Sequence, residues 1–223
     1  MKKGYVHISI LLDKSGSIEL IKNDIMGSVN NFIETQMLIP GDLTISLSTF
    51  SAKIQAIKTF TGTFPIDDFD YQRILFFDKP EKFNKLTHFN FQPSGGTALF
   101  DNCKRMIDET GTFLANLPIE NRPEKVLFVI ITDGEENSSY LVSKEQLDES
   151  INLQKNVYNW QFIYLGANQD AFAVGKDLGI KAMNYSTTER GIKSMISVLN
   201  SSTKNYRTEA CMDFMINQND IEL

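Results

Sequence analysis

The chain has 223 residues, 42% of them apolar and 22% charged, which fits one α/β domain with a real core and is short for two. A net charge of -6 argues against a general binder of phosphate backbones, so no nucleic-acid partner is expected, while cation binding stays open. No run approaches the roughly 20 apolar residues of a membrane span. The opening "MKKGYVHISILLDKS" alternates polar and apolar residues and meets Asp13 too early for a secretory signal, so the expectation is a cytoplasmic protein without a membrane partner. Cys103 and Cys211, far apart and in no metal-like spacing, read as reduced thiols.

In chain order, "YVHISILLD" (5–13) reads as a buried strand. "IELIKNDIMGSVNNFIETQM" (18–37) has the apolar spacing of a helix covering a sheet. After the turn "PGD" at 40–42, "LTISLSTF" (43–50) and "KIQAIKTF" (53–60) lie too close together for a helical crossover, which predicts an antiparallel hairpin. Residues 61–93, rich in Phe, Asp and Pro, show no sustained period and read as loops with short helical or extended pieces, packed by their aromatics, a place where partner choice could reside. "GGTALFDNCKRMIDETGTFLANL" (95–117) is a Gly-rich loop feeding a helix. "EKVLFVIITDG" (124–134) is the most apolar strand, and it too ends on an Asp.

The helix at 143–157 opens with Ser143 and Gln146 at capping-box spacing. A strand (160–168), a helix (169–180), a short strand (181–186) and a last helix (187–200) follow. Residues 201–223 are weakly periodic with an acidic end; they read as a docked helix, an added strand or a tail, a C-terminal extension to a domain spanning 1–200. Strand and helix alternating over short connections predict a three-layer α/β/α sandwich around a mostly parallel sheet. In such sheets a ligand sits at the carboxyl ends of strands, where strand order reverses.

That rule singles out the residues closing "SILLD" and "FVIITD". Asp13, Ser15 and Ser17 follow the first strand, Asp133 ends another, and Thr97 follows "SGG" at a helix entrance. Two carboxylates and three hydroxyls, with no sulfur or imidazole, suit a hard cation: Mg²⁺, with Mn²⁺ or Ca²⁺ as alternatives. An ion held largely by neutral hydroxyls and waters stays a strong Lewis acid and welcomes one more carboxylate from outside. The competing reading of "DKSGSIE" is an Asp turn with Ser17 as a helix N-cap. Glu135 and Glu136 either add charge near the site or form a solvated acidic loop, and Asn168 and Asp170 either assist it or cap a helix. His7 and His88, unclustered, read as packing or surface residues.

"DKSGS", the Thr after "SGG" and "TDGEENSS" together resemble the metal-ion-dependent adhesion site of a von Willebrand factor type A domain, in the family's order and over roughly residues 4–200. The wording is similar to bacterial and phage members. The resemblance implies a Rossmann-like sheet with one antiparallel edge strand. It also implies that Ser15, Ser17 and Thr97 contact the metal directly or through water, with Asp13 and Asp133 often acting through water, and a protein partner whose Glu or Asp completes the coordination. The function expected is a non-enzymatic binding module, or else an accessory adaptor of a larger machine such as a ring ATPase. Self-assembly through a carboxylate such as Glu222 is open but unsupported. A phosphatase of the haloacid dehalogenase type needs D-x-D where this chain has "DKS", and no P-loop or G-x-G-x-x-G follows any strand.

Overall fold

The structure, a computed structural model, describes residues 1–52, 69–167, 171–209 and 212–216. Its strands are β1 (Lys2–Asp13), β2 (Leu43–Ala52), β3 (Phe69–Asp78), β4 (Pro123–Thr132), β5 (Gln161–Ala167) and β6 (Lys181–Tyr185). Its α-helices are α1 (Lys22–Met37), α2 (Leu99–Asn116), α3 (Lys144–Tyr158), α4 (Ala171–Asp177) and α5 (Glu189–Thr208). A 3-10 turn, Gly16–Ile21, leads from β1 into α1.

The sheet order is β3-β2-β1-β4-β5-β6, with β2–β3 antiparallel and every other pair parallel. This is the expected Rossmann-like α/β sandwich, and strand order reverses at β1 beside β4. Alternation along β1 explains the layering. Val6, Ile8, Ile10 and Leu12 face one core with Ile25, Val29 and Phe32 of α1 and Ile192, Met195 and Leu199 of α5. Leu11 faces the other, with Cys103, Met106 and Ile107 of α2 and Leu147 and Ile151 of α3. Among the described residues no helix is long and apolar enough to cross a membrane.

The polar residues of β1's second face are not stranded. His7, wholly buried, lies 2.9 Å from the Thr44 hydroxyl and 3.1 Å from that of Ser9, and Ser9 lies 3.3 Å from Thr110 of α2. Burial of Cys103 pushes its thiol well up and keeps it protonated, as expected for a reduced core thiol. Cys211 lies outside the described residues.

One expected strand falls outside the described residues, and one boundary lies further along the chain than expected. The strand proposed at 53–60 lies outside the described residues; the antiparallel partner of β2 that is described is β3, inside the span read as irregular. Its period is hidden by a bulge. Register jumps from Ile45↔Asp78 to Leu47↔Leu75, so Phe76 and Phe77 together oppose Ser46. Phe77 takes a left-handed φ of 49°, donates its N–H to the Ser46 hydroxyl at 2.9 Å, and stacks on His7 with ring centroids 3.7 Å apart. Two adjacent aromatics are thereby directed off the strict alternation a strand should show.

The domain also runs past residue 200. Helix α5 continues to Thr208 with Ser202, Thr203, Tyr206 and Arg207 buried. The Arg207 guanidinium donates to the carbonyls of Gln36 (2.6 Å) and Ile39 (3.0 Å), at the C-terminal end of α1. Beyond it Phe214 is fully buried edge-on to Tyr206, at 5.8 Å between centroids.

The capping box at α3 is present in full: Gln146 N–H donates to Ser143 Oγ, and Ser143 N–H to Gln146 Oε1. Ser143→Ala should cost about 1 kcal/mol in a urea melt, and no loss would show the cap to be redundant with water.

Candidate functional site

β1 and β4 are neighbours, so their carboxyl ends place Asp13 and Asp133 at one crevice. Asp13 is wholly buried; its Oδ1 accepts the Ser15 N–H at 2.6 Å and its Oδ2 the Thr132 hydroxyl at 2.6 Å. The Asp turn read from the sequence is therefore real, but Ser17 does not act as the cap. Its hydroxyl donates to Asp133 Oδ1 at 2.7 Å and lies 3.2 Å from Ser15 Oγ. With its proton given to the carboxylate, Ser17 can only accept from Ser15, which leaves one lone pair of its oxygen for another ligand.

Thr97 arrives from the opposite wall. A Cβ added to Gly134 would lie 3.2 Å from Thr97 Oγ1 and 3.7 Å from Ser17 Oγ, so both hydroxyls flank that glycine. The glycine loop is what permits the approach. Gly95 has φ +75°, and a Cβ on Gly96 would fall 2.2 Å from Ser138 Oγ. Gly16 N–H donates to the Gly95 carbonyl (2.9 Å) and Ser94 N–H to that of Lys14 (2.8 Å), joining the Ser15–Ser17 loop to the glycine loop. All five residues expected from the sequence thus surround one crevice: Asp13, Ser15, Ser17, Thr97 and Asp133.

The electrostatics are uncompensated. Burial pushes Asp13 up to about 6, countered in part by its hydrogen bonds and reinforced by the charge of Asp133, and burial raises Asp133 as well. Among the described residues no Lys, Arg or His pairs with either acid; the Lys14 ammonium, next along the chain, goes to Asp70 of β3 at 2.6 Å. Nor do three or more His, Cys, Asp or Glu cluster among the described residues in a way that would hold a metal, so the oxygens available here are chiefly hydroxyls. Two buried acids without a counter-charge, faced by hydroxyl oxygens, fit a hard divalent cation and do not fit a thiophilic one.

Several residues that shape the site escaped the sequence reading. Thr132 bonds Asp13 from the strand end, and the hydroxyl breaking the apolar run "FVIIT" was the available signal. Asn137 Oδ1 accepts the Thr97 N–H at 2.9 Å. Glu136 neither joins the site nor floats in solvent: it accepts the N–H of Phe100 at the start of α2 and those of Ser138 and Ser139. The buried Asp101 accepts three successive N–H groups, from Tyr140, Leu141 and Val142, at 2.7–3.1 Å. Glu135 is exposed, as the solvated-loop reading had it, while Asn168 and Asp170 lie outside the described residues.

No protein-family model matches the chain, and no curated protein matches it in sequence. Solved structures match it in fold. Proximal thread matrix protein 1 from the mussel byssus aligns at TM-score 0.57 and 11% identity, covering 88% of this chain and 47% of that one. The pilus adhesin SpaC of Lactobacillus rhamnosus GG aligns at TM-score 0.59 and 13% identity over 92% of this chain and 30% of its own. A von Willebrand factor type A structure from Catenulispora acidiphila aligns at 0.53 and 12%, over 90% and 43%. The chain spans less than half the length of each of these. At such identities the likeness establishes the fold alone, and that fold is one shared with a von Willebrand factor type A structure.

Proposed function

We propose that this chain is a non-enzymatic protein-binding module that works through a divalent cation, with Mg²⁺ as the physiological ion. Ser15, Ser17 and Thr97 would offer hydroxyl oxygens to the ion, while Asp13 and Asp133 supply the negative charge behind them, directly or through water. When bound, the cation supplies a Lewis-acidic position that a Glu or Asp of a partner protein can occupy. The observation that carries the reading is the pair of buried, uncompensated carboxylates facing three hydroxyls. Exposed Leu20 follows Ser17 on the first loop, and exposed Tyr140 and Leu141 stand on the loop after β4, which suits an apolar protein contact around a charged centre.

Calorimetric titration of Mn²⁺ and Mg²⁺ into chelator-stripped protein tests this. Saturable binding by the wild type, weakened at least roughly tenfold in Thr97→Ala, is the expected result. Equal affinity in wild type and Thr97→Ala, or no binding of either ion, would count against the site.

A further inference from the structure

We propose that Tyr185 of β6 is a positioning residue for the two carboxylates, acting on them through Thr132. This rests on the cation reading above. Thr132 is the last residue of β4: pairing with β1 ends at Leu12↔Ile131 and pairing with β5 at Thr132↔Gly166. At this strand end the chain must still hold Asp13, through the Thr132 hydroxyl, and launch Asp133, the next residue. The Thr132 oxygen also accepts the Gly134 N–H at 3.2 Å, so one side chain ties the first carboxylate to the turn bearing the second.

What fixes Thr132 comes from two strands away. The Tyr185 hydroxyl donates to the Thr132 carbonyl at 3.1 Å, across β5. The reach is possible because the β5 residues in register are small: Gly166 opposes Thr132, and Ala167 opposes Tyr185. The ring is buried in the core that also contains Ile131, Ala167 and Met183. A continuous path results: phenol to carbonyl of Thr132, hydroxyl of Thr132 to Asp13. Burial, together with the nearby charges of Asp133 and Asp13, holds the phenol far above its ordinary range, so it remains a donor.

A buried tyrosine that merely satisfies its hydroxyl would look similar, and β4 provides the matched control. At its other end the Tyr206 hydroxyl donates to the Val126 carbonyl at 3.4 Å, far from the acids. The test is Mn²⁺ affinity by water-proton relaxation, with melting temperature alongside, for wild type, Tyr185→Phe and Tyr206→Phe. Each substitution keeps the ring and removes only the hydroxyl. The expected result is Mn²⁺ binding weakened about tenfold in Tyr185→Phe and unchanged in Tyr206→Phe. Unchanged affinity in Tyr185→Phe, or weakening in both variants in step with their loss of melting temperature, would overturn the positioning role while the cation site stands. A wild type that binds no Mn²⁺ would overturn the cation reading and this role with it.

Discussion

Asp13→Asn should melt higher than the wild type in chelator near neutral pH, and the same variant should lose Mn²⁺ binding. Asp13 is fully buried, and burial lifts its carboxyl from 3.8 to about 6. At about 1.4 kcal/mol per unit, the ionised form costs the folded protein on the order of 3 kcal/mol above that pH. Asparagine has the same shape, and its hydrogen bonds can be rebuilt. Its oxygen accepts the Ser15 N–H; its amide donates to the Thr132 oxygen, whose proton can turn to the Gly134 carbonyl 3.1 Å away. A gain of about 1–3 kcal/mol is therefore expected without metal. Saturating Mn²⁺ should reverse the ranking, because only the wild type gains stability from the ion. Paired thermal melts in EDTA and in Mn²⁺ measure both effects. A variant that folds and yet melts lower in EDTA would mean that Asp13 is stabilised by its neighbours and is not a carboxylate held at a cost.

The second large effect is an acid sensitivity that Asp13 masks. Burial lowers His7 from 6.5 to about 3, so between those values the unfolded chain binds a proton that the folded chain refuses. His7 thus contributes stability that is complete above about pH 6.5 and lost, at about 1.4 kcal/mol per unit, as pH falls toward 3. Asp13 has the opposite sign. Between about pH 6 and 4 its folded carboxyl takes up a proton that the unfolded one does not, so acidification stabilises the metal-free fold there. The two slopes nearly cancel in that window for the wild type, and Asp13→Asn removes the compensating one. Urea unfolding at several pH values should show the variant's advantage shrinking by about 2–3 kcal/mol from pH 6 to 4. Groups common to both proteins, His7 included, drop out of that difference, so parallel curves for wild type and variant would sink the Asp13 slope. The His7 slope is read by adding His7→Gln to Asp13→Asn, and an unchanged fall in stability from pH 6 to 4 would sink it.

Much of the site was legible because its residues report locally. A strand ending in Asp followed by Lys-Ser-Gly-Ser, and a second strand ending in Asp, are readable from the run of apolar residues that precedes each. Thr97 was legible because glycine marks close backbone approach, and Gly96 does sit where a side chain would strike Ser138. Thr132 and Tyr185 were not, since their importance lies in contacts made across the sheet, 119 and 53 residues apart in sequence. β3 was missed because its bulge and the left-handed Phe77 break the two-residue period. The end of α5 stayed one alternative among three because its inward face beyond residue 200 carries Ser202, Thr203 and Arg207, polar residues that bury without an apolar signature. Arg207 can do so only because the end of α1 offers it carbonyls.

The loops of the site are sewn together by their own main chain. Lys14 bonds Phe50 and Ser94, Gly16 bonds Gly95, and the Thr97 carbonyl receives the N–H groups of both Asn137 and Ser138, all at 2.8–3.1 Å and none through a cation. The chain's ordering entropy at this end of the sheet is therefore spent during folding, before any ligand arrives. An incoming ion would meet a finished socket, its exchange paced by the shedding of its own waters and not by loop movement. A partner would in turn dock on a rigid surface, so discrimination between partners would reside in how long each stays and not in how readily the surface reshapes to receive it.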